Sequence, residues 1–314
     1  MNHEQVKKRV YCMVLAIIIG GGVFIWIRNQ TPSTVFQGGE KKLSVTTSFY
    51  PLYFFATQIA GERADIVNVT PAGVEPHDYE PTSRDRARIE ESQLLILNGG
   101  GLEAWGENIR KNIDPQRTHI VVAGEGLITD QRVEDGKTVV DPHVWLSPIL
   151  AAQMVEKITQ GFAQVDPANS RLYRSNADLL QSKLSALDGA YRQGLARCVQ
   201  KNIITSHAAF GYLAQTYGLR LLSIAGLSPD AEPSTQELGN IAVFARAHDV
   251  HVIFFESLAS PKLAETIATE IGATTLVLNP LEGLSESEIA AGENYLSVME
   301  DNLIHLETAL QCDQ

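Results

Sequence analysis

Short apolar runs alternate with amphipathic segments along most of this chain, and eight of the runs read as strands. They fall into two sets: 43–48, 66–70, 94–98 and 119–123, then 202–206, 219–225, 251–256 and 275–278. All are rich in Val, Ile and Leu, as expected of buried parallel strands. Segments with helical periodicity lie between them, at 52–61, 83–92, 101–111, 208–217, 234–248 and 261–272. This alternation predicts an α/β fold with two lobes, each built on a roughly four-stranded parallel sheet.

A long helical stretch separates the two sets. Ser147-Pro148 is a helix start with proline at the first position, and the helix should reach about residue 164. Asp166-Pro167 repeats the signal. The second helix, with Tyr173, Leu179, Leu180, Leu184 and Leu187, should run to about Arg197, roughly 45 Å at 1.5 Å per residue. Such a helix would join the lobes stiffly. Ser285 and Glu288 form a capping box, from which one last helix is expected to reach about Leu310.

The N-terminus differs in character. Lys7, Lys8 and Arg9 precede an uncharged run over 10–27 that Arg28 ends. The run has about the length of a short membrane span. No small-x-small cleavage site follows it closely, and Cys12, at its start, is misplaced for a lipoprotein cysteine. An uncleaved anchor in the cell membrane is expected, with the basic cluster inside and the rest of the chain outside. The domain reading is therefore an anchor at 1–28, a linker at 29–42, an N-terminal lobe at 43–165, a connecting helix at 166–198 and a C-terminal lobe at 199–314.

Composition narrows the partners. The 314 residues are 44% hydrophobic and 20% charged, a globular balance. A formal net charge of -12 and the lack of a basic stripe argue against nucleic acid. Cys198 and Cys312 are the two cysteines of the part expected outside, which favours a disulfide between them.

Three histidines carry the candidate chemistry: His77 in Glu-Pro-His-Asp-Tyr, His143 in Asp-Pro-His-Val-Trp and His207 in Thr-Ser-His-Ala-Ala-Phe. Each follows an apolar segment or a loop leading from one, and each lies before an expected helix. They are too far apart for a zinc finger. They suit the loops beyond the C-terminal ends of strands, where open α/β folds bind ligands, and the adjoining prolines restrict their backbone. Zinc takes four ligands in a tetrahedron, often imidazoles with one oxygen. Glu282, after the last strand run, is the expected fourth, placing Zn²⁺ in a cleft between the lobes. His3, His119, His248, His251 and His305 are read as surface or hydrogen-bonded residues. Gly99-Gly100-Gly101-Leu102-Glu103-Ala104 satisfies a dinucleotide-type Gly-x-Gly-x-x-Ala pattern but follows the third strand of its lobe, and a tight turn is the expected explanation.

The motifs at 76–81, 141–148, 206–213, 226–233 and 278–282 resemble, in order, those of the zinc/manganese ABC-transporter solute-binding proteins, cluster A-I. The resemblance covers about Leu43 to Cys312. It implies two α/β lobes on one rigid helix, with His77, His143 and His207 as metal ligands, a disulfide between Cys198 and Cys312, and delivery of the ion to a metal-transport ABC permease. Manganese-type members carry a carboxylate where this chain has His207, so zinc is expected ahead of Mn²⁺. Many members have an aspartate at the position of Asn279, so Glu75 or water competes with Glu282 as fourth donor. No histidine-rich loop precedes His143. The protein is expected to be a monomer and not an enzyme. The alternatives are a manganese or iron binder of the same family, a surface adhesin, and a secreted zinc hydrolase with Glu75 or Glu256 as base. The last would need an open metal position.

Overall fold

The computed structural model describes residues 42–313 except 135 and 230–232. The expected anchor, and the linker up to residue 41, lie outside the described residues. Among the described residues no helix is long and apolar enough to cross a membrane.

The first sheet consists of β1 (Leu43–Thr47), β2 (Ala64–Asn68), β3 (Leu94–Leu97) and β4 (His119–Val122), all parallel, in the order β2-β1-β3-β4. A hairpin of β5 (Gln131–Glu134) and β6 (Lys137–Val140) follows. The second sheet consists of β7 (Asn202–Thr205), β8 (Arg220–Ser223), β9 (Val252–Phe255) and β10 (Thr274–Val277), also parallel, in the order β10-β9-β7-β8. Counted within its own lobe, each sheet has the order 2-1-3-4. The lobes repeat one topology, although the sequence shows no strong internal match.

The first-lobe helices are α1 (Tyr50–Ala60), α2 (Ser83–Glu91), α3 (Gly106–Asn112) and α4 (Pro148–Val165). Then come α5 (Ser170–Gly194), α6 (Gly211–Tyr217), α7 (Thr235–Ala247), α8 (Lys262–Ile271), α9 (Glu286–Ala291) and α10 (Tyr295–Ala309). Four expectations need correcting. The segment over 125–140, read as a loop, contains the β5–β6 hairpin. The helix expected from 101 starts at Gly106, because Gly99, Gly100 and Gly101 all take positive φ (85°, 68° and 84°) and form a turn. The long helix has 25 residues, roughly 37 Å. A 3₁₀ turn at Pro167–Asn169 precedes it, where Asn169 and Tyr173 both donate to the Asp166 carboxylate. The last helix is two, because Gly292 ends α9 in the left-handed region and the Asn294 side chain caps α10.

The core decides how the lobes relate. One cluster of buried apolar side chains runs through both of them. α5 contributes Tyr173, Ala177, Leu180, Leu184, Leu187 and Tyr191, and packs against α1, α4 and α10. Leu179 of the same helix is 63% exposed. Phe49 meets Trp145 edge-on at 4.7 Å, and Tyr295 of the second lobe packs on Phe54 and Phe55 of the first. Each lobe adds a smaller core of its own, around Val69, Ile89, Leu95, Leu97 and Trp105 in the first and Ile204, Ile241, Ile253 and Ile267 in the second.

Cys198, just past α5, is bonded to Cys312, just past α10, across 114 positions of sequence. A loop of that length is worth about 5 kcal/mol in the chain-entropy account, and disulfides typically deliver about 2–4 kcal/mol. Reduction should therefore lower the melting temperature by several degrees, as differential scanning calorimetry of oxidised and reduced protein will show. An unchanged temperature would mean that the bond contributes nothing to stability.

Candidate metal centre

Five loops at the C-terminal ends of strands converge between the lobes. The one after β2 carries His77. The segment after β6 carries His143, and those after β7, β9 and β10 carry His207, Glu256 and Glu282. Local sequence sets each position. Thr82 caps α2 through a reciprocal pair with Asp85, closing the loop that bears His77. Leu281, fully buried, adopts φ +57°, and the Asn279 side chain accepts from its N–H at 2.8 Å. This unusual residue turns Glu282 inward. Asn279 is thus a turn-former: its amide also donates to Ser257 at 2.9 Å.

The structure brings together all four residues singled out from the sequence. His77 Nε2 lies 3.3 Å from His143 Nε2, which lies 3.4 Å from His207 Nε2. Glu282 Oε1 is 3.4, 3.0 and 3.2 Å from the Nε2 atoms of His77, His143 and His207. All four atoms lie within 4.8 Å of one another. Donors at 2.0–2.1 Å from a tetrahedral zinc would lie about 3.3–3.4 Å apart, so five of the six edges already approach that figure. His143 and His207 are fully buried, Glu282 is nearly so, and His77 is only slightly exposed.

Two carboxylates hold the rings. Asp141 Oδ1 accepts from the His143 backbone N–H at 3.0 Å and from its Nδ1 at 2.8 Å. Glu256 Oε1 does the same for His207, at 3.1 and 2.6 Å. A proton on Nδ1 leaves the Nε2 lone pair facing the cluster, the tautomer a metal needs. Sequence reasoning missed both roles. The available signals were the Asp two residues before His143 and the acidic residue ending the β9 run. Glu256, considered there as a hydrolytic base, sits behind His207.

Burial opposes charge on both rings. Even so, Asp141 and Glu282 raise His143 above the ordinary histidine range, and Glu256 and Glu282 raise His207 well above it. Burial alone would raise Glu282, but the charge on His207 and hydrogen bonds from all three histidines hold it well below the usual carboxylate range. Burial first, then the neighbouring Glu282, push Glu75 upward. Glu75 is outside the four-atom cluster. Its carboxylate accepts from the His77 N–H at 3.2 Å.

Hydrogen bonds tie the ligand loops across the lobes. Trp145 Nε1 donates to Pro280 O at 2.8 Å, and Tyr295 donates to Trp145 O. Tyr212 Oη accepts from the N–H groups of Thr129 and Asp130 and donates to Asp141 O. The Gly99–Gly101 turn contributes no donor to the four-atom cluster. Glu103 secures it, accepting from Ser48, Asn98 N and Gly99 N. No helix begins on these glycines, so the dinucleotide pattern is a turn.

Comparison with known proteins places this arrangement. Residues 45–309 match the family described as zinc-uptake complex component A, periplasmic. The chain is 41% identical over 293 residues to the high-affinity zinc uptake system protein ZnuA of Bacillus subtilis, covering 90% of this chain and 92% of that one. It is 40% identical over 275 residues to the zinc-binding lipoprotein AdcA of Streptococcus pneumoniae, covering 84% of this chain but 55% of the longer relative. The crystal structure of the Zn(II)-bound ZnuA-like domain of that AdcA superposes with a TM-score of 0.74 at 39% identity, over 86% of this chain and 99% of the domain.

Proposed function

The chain belongs to the zinc-uptake complex component A family, and on that premise we propose that it captures Zn²⁺ outside the cytoplasm and delivers it to an ABC permease. His77, His143, His207 and Glu282 take the ion as its four ligands. The observation that carries this reading is the spacing of those four donor atoms, set for a tetrahedron. Three nitrogens and one oxygen suit zinc better than manganese, which favours oxygen-rich, six-coordinate sites. The ion is cargo, and no covalent step is involved. With Glu282 in the fourth position no open site is left for a hydrolytic water. Attachment through an uncleaved anchor, the monomeric state and the division at 43–165, 166–198 and 199–314 belong to the same proposal.

The test is calorimetric titration of the metal-stripped full chain with Zn²⁺ and Mn²⁺ in parallel. Tight one-to-one zinc binding with much weaker manganese binding is expected; equal or stronger manganese binding would overturn the zinc reading. The same experiment tests the proton balance. In the metal-free centre the carboxylates hold His143 and His207 protonated above the ordinary histidine range, and zinc must displace those protons. Affinity should therefore rise with pH from about 5 to about 8, by up to about tenfold per unit for each proton released, with buffer-dependent heats at pH 7. A pH-independent affinity across that window would remove the imidazoles from the site.

A further inference from the structure

Asp141 fixes His143 with one oxygen. Its Oδ1 accepts from both the backbone N–H and the ring Nδ1 of His143, while Oδ2 is buried and has no hydrogen bond among the described residues. A carboxylate buried in that way is costly unless a cation faces it. Arg132 supplies the cation. It stands on β5 of the hairpin with 34% of its side-chain surface exposed, and its Nη2 lies 3.9 Å from Asp141 Oδ2. The distance is too long for a hydrogen bond and short enough for an ion pair.

The surroundings keep the pair together. The Asp141 N–H donates to Asp130 O at 2.9 Å, which ties the foot of the hairpin to the backbone of the carboxylate. On another side stands α6 of the second lobe, whose first residue is Gly211. A Cβ at Gly211 would lie 2.6 Å from Asp141 Oδ2 and 3.1 Å from Arg132 Nη2. Its φ of -57° is an ordinary helical value, so the backbone does not call for glycine there. The room left by the missing side chain is what the carboxylate and the guanidinium use.

We propose that Arg132 is a positioning residue for zinc binding: it holds Asp141 Oδ2, and through Asp141 the ring of His143, while Gly211 leaves space for the contact. The inference rests on the zinc-capture reading above. Arg132 is not one of the four ligand residues, so its influence passes along Arg132, Asp141 and His143 in turn. Without the guanidinium, Oδ2 turns toward water, Oδ1 loses its alignment with the Nδ1–H of His143, and Nε2 tilts away from the ion.

The experiment is a titration of the metal-stripped full chain with Zn²⁺ in competition with a chromophoric chelator, at one fixed pH. The melting temperature of each metal-free variant checks its folding. Arg132→Gln should weaken zinc binding about tenfold, the low end of the range for groups that orient a ligand. Arg132→Lys, which keeps the charge, should recover most of the loss. In an Asp141→Asn background Arg132→Gln should cost nothing further, because residues that act through one contact do not add. Gly211→Ala crowds the same carboxylate without altering the hairpin, so it should weaken binding by a similar factor even if the Arg132 variants fail to fold. Unchanged or tighter binding by Arg132→Gln, no recovery with lysine, a further tenfold loss in the Asp141→Asn background, or wild-type affinity in Gly211→Ala each overturns the proposal. Absence of tight zinc binding by the wild type would instead overturn the capture reading.

Discussion

Replacing His207 by Ala should lower zinc affinity by at least about a thousandfold, well beyond the 10–100-fold typical of groups that only orient a ligand. His207 is fully buried and its Nε2 lies within 3.4 Å of both His143 and Glu282. Alanine would leave three donors and an apolar gap that cannot supply a fourth. It would also strand Glu256, which would keep only the backbone N–H of the pair it now accepts from. Glu256→Gln is the matching measurement. A glutamine carbonyl still accepts from Nδ1 but carries no charge, so the loss should fall within the 10–100-fold range. His207→Asp should recover part of the binding and move preference toward Mn²⁺, because it replaces nitrogen by oxygen. Calorimetric titration with both ions reads all three. An affinity for His207→Ala within tenfold of wild type would place the ion elsewhere.

The second large effect falls on stability. Trp145→Ala should destabilise the fold by about 3–5 kcal/mol, the range for deleting a large buried aromatic. Trp145 is fully buried, packs edge-on against Phe49 at 4.7 Å and donates to Pro280 O at 2.8 Å. Its own carbonyl accepts from Tyr295. The substitution opens a cavity between the lobes and leaves the Pro280 carbonyl without its donor. Zinc affinity should fall too, since Pro280 lies two residues before Glu282. Trp145→Phe separates the contributions: it keeps most of the packing and loses the hydrogen bond, so about 1–3 kcal/mol should go. Denaturant midpoints measure both variants. A shift under about 1 kcal/mol for Trp145→Ala would mean that the interface relaxes to fill the gap.

Much of this was legible in the chain. The strands were readable because each is a short apolar run, and the ligands because His77, His143 and His207 stand in proline-marked or capped loops just beyond such runs. What escaped depends on contacts distant in sequence. Nothing local shows that one oxygen of Glu256 holds both the backbone and the ring of His207, or that Tyr212 reaches across to the segment preceding the hairpin. The hairpin segment reads as a loop in the sequence, since its strands carry Gln131, Arg132, Lys137 and Thr138 among only a few apolar residues. Leu180 and Leu184 fall on the buried face of α5 while the adjacent Leu179 is exposed, a distinction set by helical phase and not by residue type. Gly292 splits the segment that the Ser285–Glu288 capping box begins, a break that the box itself does not signal.

The single core that runs through both lobes has a consequence for how the protein trades its cargo. Pulling the lobes apart would expose the packing of Trp145, Tyr295 and the inner face of α5, and so would cost much of the global stability. The segment at 71–82 is cheaper to open: half of its residues are exposed, and its backbone meets the second lobe where Gly73 N–H donates to Leu284 O. Local opening of that kind draws on the low end of a protein's range of free energies. The clock of zinc exchange and the endurance of the fold are then set by different residues, and evolution can adjust the first while leaving the second alone.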